Sequence, residues 1–216
     1  MRHAICLLSV GLSLLAQKEN AAYAKIQDVA GLPRILVIGD SISIGYTLPV
    51  RALMQGKANV HRIAENAAHT RNGVEKLEQW IAAEKRWDVI HVNFGLHDLR
   101  RMDDGLPQVS LADYEANLAQ IFDRLQKTGA KLVFATTTPV PYAKTNPPRT
   151  DLDVVVYNKA ARRVAEARGA TVVDLYAVAL PKLAEIQLPA NVHFKAEGSE
   201  LLAQQVAECW ARLLSK

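Results

Sequence analysis

The chain is 216 residues long, half of them hydrophobic and 22% charged, with a formal charge of +4 at neutral pH. That length and apolar content exclude a disordered chain and fit one globular domain with a substantial core. Basic residues are scattered among acids without an aromatic-interleaved stripe, which argues against nucleic acid as a partner.

Arg2 and His3 precede an apolar run from Ala4 to Ala16, and the polar stretch after it ends in Ala22-Tyr23-Ala24. This reads as a secretory signal with an Ala-x-Ala cleavage site, so residues 1–24 are expected to be removed and 25–216 to form the domain. The apolar run is shorter than the roughly 20 residues a membrane-spanning helix needs. The mature chain is therefore expected to be exported, periplasmic or secreted, without stable membrane insertion. Cleavage removes Cys6 and leaves Cys209 alone, so no internal disulfide can form. Cys209 lies among Leu202, Val206, Trp210 and Leu213 at helical spacing and is expected in the core.

From Arg34 onward, short apolar runs alternate with longer amphipathic stretches. Arg34 to Ile38 reads as a strand, Gly39 as its tight exit and Ser41 as the start of a helix. Asn59 to Ile63 is a second strand, followed by a helix over Asn72 to Ala83, and Asp88 to Val92 is a third. Leu111 to Lys127 is a helix with Ser110 as N-cap and Gly129 just past its end. Lys131 to Ala135 is the fourth strand, Asp151 to Arg168 a helix, Ala170 to Val173 the fifth strand and Glu197 to Leu214 the closing helix. Strand-helix-strand order with near-continuous apolar strands predicts a three-layer α/β/α, flavodoxin-like domain around a five-stranded parallel sheet, with functional loops at the carboxyl ends of the strands. The stretch from Thr136 to Thr150, with four prolines, is expected to wall a binding site. Trp80 and Trp87 read as packing residues.

Two residues carry the first chemical signal. Ser41 follows a strand and a glycine and would open a helix, where free backbone amides and the helix dipole favour a developing negative charge, as acyl transfer requires. His193 lies in a loop before the last helix and could deprotonate a serine hydroxyl. With Gly95-Leu96-His97-Asp98 at the exit of the third strand, these blocks resemble the SGNH hydrolase family, also called the GDSL esterase family. The first block is Gly39-Asp40-Ser41-Ile42, with Gly45 one turn later. The second resembles Asn66-Ala67-Ala68-His69-Thr70-Arg71-Asn72-Gly73, and the last is Ala190-Asn191-Val192-His193.

The resemblance implies Ser41 as nucleophile and His193 as general base, with an oxyanion hole built from the Ser41 amide, a second-block amide and a third-block side chain. Asp40, Gly95 and Asp98 would support the site. Three departures stand out. The third-block asparagine is His97, which as a neutral ring can still donate one hydrogen bond; its alternative is a metal ligand with Asp98 or His69. The second-block glycine is Ala67 or Ala68, of which Ala67 is taken as the amide donor. The aspartate three residues before the histidine is Ala190, which leaves His193 to be oriented by a backbone carbonyl or by an acid such as Asp174 or Glu185.

The expected function is hydrolysis of carboxylic esters through an acyl-Ser41 intermediate, on short-chain or acetyl esters such as O-acylated glycans. Lysophospholipase or thioesterase activity, or a catalytically attenuated binding protein on the same fold, are the alternatives. No cofactor or metal is implied, and the oligomeric state is open. Arg100 and Arg101 read as a solvated loop that follows the His97 block closely enough to touch an anionic substrate.

Overall fold

Five short apolar runs pair side by side into one all-parallel sheet in the order β2-β1-β3-β4-β5, in a computed structural model that describes residues 20–82 and 86–215. The strands are β1 (Arg34–Gly39), β2 (Asn59–Arg62), β3 (Val89–Asn93), β4 (Lys131–Ala135) and β5 (Thr171–Val173). β1 is buried from Ile35 to Gly39 and β3 along its whole length, because a parallel sheet is covered on both faces and leaves no strand side for water. The helices are α1 (Ser41–Leu53), α2 (Thr70–Ile81), α3 (Leu111–Gln126), α4 (Asp151–Glu166), α5 (Leu175–Ala179), α6 (Leu183–Ile186) and α7 (Ala196–Leu214). α1, α5 and α7 pack together in one layer, and α2, α3 and α4 in the other, which gives the three-layer α/β/α fold expected.

Strand and helix ends shift by one or two residues from the expected ones. α2 begins at Thr70 because His69 caps it, its Nδ1 accepting from the Asn72 amide at 3.2 Å. Expected positions 1–19 and Ala83 lie outside the described residues. The short helices α5 and α6 have no sequence signature, since four or five residues are too few to express a 3.6-residue period.

The layers are joined through a buried polar group on the central strand. His91, fully buried in β3, accepts at Nδ1 from Trp210 Nε1 of α7 (3.2 Å), and its Nε2 meets the hydroxyl of Tyr46 in α1 (3.0 Å). Indole N–H can only donate, so the ring proton sits on Nε2. Burial pushes the His91 pKa down to about 3. Cys209 is buried beside this group, as its spacing predicts. Trp80 and Trp87 are likewise buried, their indole N–H groups held by Glu65 (2.9 Å) and the Ile81 carbonyl (3.0 Å).

Residues at the expected cleavage site are packed on the domain. Ala21–Tyr23 form a short 3₁₀ turn with Ala22 buried. Arg51 donates to the carbonyls of Ala21 (3.4 Å) and Ala24 (3.2 Å), and the Arg62 guanidinium lies 5.6 Å from the centre of the Tyr23 ring.

Candidate active site

The exit of β1 is a tight, heavily bonded elbow. A Cβ on Gly39 would stand 2.7 Å from Ser43 Oγ and 3.1 Å from Asn93 Cβ, so only glycine lets the chain pass. Asp40 is extended and caps α1, its carboxylate accepting from the Ile42 amide at 2.9 Å, while its carbonyl accepts from Ser43 Oγ at 2.7 Å. Buried Arg62 donates to Ser43 Oγ (2.7 Å) and to the Gly39 carbonyl (2.8 Å). Burial pushes the Asp40 pKa up to about 6, against the lowering effects of the Ile42 amide and Arg62. This scaffold presents Ser41 at the first position of α1, half-buried, with its own amide among the unpaired donors of the helix start.

His193 arrives from the other end of the chain on an exposed loop that is pinned at both sides. Leu188 N–H donates to the His193 carbonyl (2.9 Å) and Lys195 N–H to the Ile186 carbonyl (2.8 Å). Buried Gln187 ties the loop to Pro139 through its Nε2 (2.9 Å). The result is a Ser41 Oγ to His193 Nε2 distance of 2.8 Å across 152 residues of sequence.

What orients His193 is neither a backbone carbonyl nor a distant acid. Asn191 Oδ1 accepts from the His193 backbone N–H at 3.0 Å and lies 2.7 Å from its ring Nδ1. Because the backbone N–H can only donate, the Asn191 atom is an acceptor and Nδ1 must carry the proton. The Nε2 lone pair is thereby turned to Ser41. Asp174 is engaged with Arg162 (2.6 Å) and caps α5, and Glu185 sits beside Lys195 through its carbonyl alone; neither approaches His193. Ala190 occupies the left-handed region at φ +50° and turns the chain so that Asn191 folds back on the histidine. Asn191 stood in the sequence block, but its role was hidden because the expected acid lies one position earlier.

The opposite wall differs from expectation at Ala67. Its amide donates to the Gly39 carbonyl at 3.1 Å and the residue is fully buried, because the chain after β2 stays in register with the end of β1. Ala68, at φ +55°, holds the glycine-like conformation instead, and its amide donates to Asn66 Oδ1 at 2.8 Å. That bond fixes the Asn66 carboxamide, whose Nδ2 has no acceptor among the described residues, and Asn66 lines the same cavity as Ser41. His97 also lines it, with no hydrogen bond to its ring among the described residues. Burial, then Arg149 and Arg100, bring the His97 pKa down to about 4, so at neutral pH the ring is uncharged with a single N–H.

Gly95 and Asp98 act beneath this surface. Gly95 has φ +137°, and a Cβ there would collide with Thr137 Oγ1. Asp98 accepts at one oxygen from the Thr70 amide (2.8 Å) and hydroxyl (2.5 Å), which locks the second block to the third, and burial raises its pKa to about 7. With Asp98 turned to Thr70 and His69 capping α2, no cluster of three or more potential metal ligands exists among the described residues.

The elements meet in a cavity of about 510 Å³ lined by Ser41, His193, Asn191, Asn66, His97, Arg100 and Arg149, with Thr145 to Pro147 of the proline-rich stretch as one wall. Its volume suits a small ligand. A serine hydroxyl held against a neutral imidazole whose far nitrogen is fixed can transfer its proton and attack an electrophilic carbon.

Residues 37–201 match the model of the GDSL-like lipase/acylhydrolase family. Among curated proteins none matches the chain. Among solved structures, a lipase/acylhydrolase from Enterococcus faecalis superposes with a TM-score of 0.69 at 24% identity, over 84% of this chain and 97% of that one. An acetyl xylan esterase superposes with a TM-score of 0.69 at 18% identity, over 82% and 98%. An acetylxylan esterase from Geobacillus stearothermophilus does so at 0.66 and 19%, over 85% and 94%. The match over three-quarters of the sequence and the shared fold identify the chain as a member of the GDSL-like lipase/acylhydrolase family, the SGNH hydrolases, and as a carboxylic ester hydrolase.

Proposed function

We propose that this protein hydrolyses short-chain or acetyl esters, O-acylated glycans among them, through an acyl-Ser41 intermediate. The observation that carries the reading is the 2.8 Å contact of Ser41 Oγ with His193 Nε2, in the tautomer that Asn191 dictates. His193 takes the hydroxyl proton as Ser41 Oγ attacks the ester carbonyl. The tetrahedral intermediate then collapses, the C–O bond to the alcohol breaks, and His193 returns the proton to the leaving oxygen. Water attacks the acyl-serine by the same route and releases the acid.

The oxyanion would be received by the Ser41 amide, the His97 N–H and the Asn66 carboxamide, the last in the place expected of Ala67. The small polar cavity supports short acyl groups over long chains, and the acetyl xylan esterases that share the fold are consistent with acetylated glycans. The signal-like residues 1–24 support an exported location, periplasmic or secreted. The test is turnover of p-nitrophenyl acetate, butyrate and octanoate by the purified protein beside Ser41→Ala and His193→Ala. Activity that falls steeply with chain length and is lost in both variants is expected. Undiminished activity in either variant would overturn the mechanism, and a preference for octanoate would overturn the substrate class.

A further inference from the structure

Building on the hydrolase reading, we propose that the ester accepted here carries a negatively charged oxyanion group, such as a carboxylate, which Arg100 and Arg149 bind beside the scissile bond.

Among the described residues, the cavity that contains Ser41 and His193 is lined by both arginines and by no aspartate or glutamate. The nearby acids, Asp40 and Asp98, lie buried beneath the floor and are held by the Ile42 amide and by Thr70. Arg149 is fixed in place: its Nε donates to the Leu96 carbonyl at 2.7 Å and one terminal nitrogen to the Pro147 carbonyl at 3.1 Å. Its other terminal nitrogen has no acceptor among the described residues. Arg100 differs sharply from its neighbour. Arg101 is paired with Asp153 at 2.8 Å and bonds the Gly105 carbonyl at 2.9 Å. The Arg100 guanidinium has neither an ion pair nor a hydrogen bond among the described residues, and its Nε is buried without a partner.

Asp40, buried beneath the floor, acts favourably on Arg149 while Arg100 repels it, and Arg100 itself has no ion pair among the described residues. Partly desolvated cations so poorly balanced are unfavourable unless something compensates them. They also act on their neighbours: after burial, Arg149 lowers the pKa of His193 and of His97, and Arg100 adds to the lowering at His97. An anionic group on the substrate offsets that repulsion and matches the planar donor forks of two guanidinium groups. The group can sit on the acyl or on the alcohol side, and the two arms of the experiment distinguish them.

The experiment compares kcat/KM for two matched pairs: mono-p-nitrophenyl succinate against p-nitrophenyl butyrate for the acyl side, and 4-acetoxybenzoate against 4-acetoxybenzamide for the alcohol side. At least one anionic ester is expected to exceed its neutral partner by about tenfold or more at low ionic strength, with the ratio falling in about 0.5 M salt. Arg100→Gln should bring the ratio close to one. Arg101→Gln, outside the cavity, should preserve it, and thermal unfolding of each variant checks the fold. Ratios at or below one in both pairs, with neutral hydrolysis lost in Ser41→Ala, would overturn the anion inference and leave the hydrolase reading standing. Absence of Ser41-dependent hydrolysis of all four esters would overturn both.

Discussion

Asn191 and His193 form a self-contained unit in which one carboxamide oxygen receives both the backbone N–H and the ring Nδ1–H of a residue two positions later, at 3.0 and 2.7 Å. The unit supplies orientation and tautomer without a negative charge. Asn191→Ala should lower kcat on the order of 10²-fold, since a freely rotating imidazole no longer meets Ser41 in a reactive pose. Asn191→Asp restores the geometry with a charge that favours the imidazolium, so it should retain activity while moving the acid limb of the pH profile upward. Measuring kcat against pH for the three proteins checks both expectations, and wild-type kcat in Asn191→Ala would remove Asn191 from the site.

The acid limb itself should lie below the ordinary histidine value of 6.5, because partial burial, then Arg149, lower the His193 pKa. In the proposed mechanism His193 works as the neutral ring, so activity should rise with pH through that lowered value and then level. Arg149→Gln removes the cationic contribution and should shift the limb toward higher pH. A limb that stays in place would show that burial alone sets it.

Asp98 makes stability depend on pH in the opposite sense from most carboxylates. Its folded pKa of about 7 lies above the ordinary 3.8, so the folded state holds the proton more tightly than the unfolded chain. Its contribution is full below about pH 3.8 and is lost progressively as pH rises to about 7. Asp98→Asn keeps an oxygen acceptor for Thr70 and cannot ionise. Thermal unfolding of this variant from pH 5 to 8 should show a flatter dependence than wild type, with the largest relative gain at pH 8. Parallel curves would place the titration elsewhere.

The turn at residues 20–24 buries Ala22 and sets Tyr23 against Arg62. A chain beginning at Asn20 should therefore be more stable than one beginning at Lys25 by about 1 kcal/mol, or roughly 2–4 °C in Tm. Equal melting temperatures would mean that this segment adds nothing to the domain, and N-terminal analysis of the protein purified from its native host would show which form is produced.

Amino-acid order alone was enough for the alternation of strands and helices, the parallel sheet, the elbow at Gly39-Asp40-Ser41 and the loop histidine. These depend on local periodicity and on residues whose chemistry limits their backbone, such as a glycine that must pass close to Ser43 and Asn93. The support around Ser41 was decided only by tertiary structure. Ala67 and Ala68 are adjacent and alike in composition, yet strand register commits the first amide to Gly39 and puts the second residue in the left-handed region. Asn191 was visible as a letter two positions before His193, but a side chain orients an imidazole only through the turn at Ala190 that folds it back. Arg100 and Arg101 were indistinguishable in sequence, and Asp153, 52 residues away from Arg101, neutralises one and leaves the other facing the cavity. Local sequence sets which conformations a segment prefers, whereas the partner of a polar group is chosen by whatever the folded chain brings within hydrogen-bonding distance.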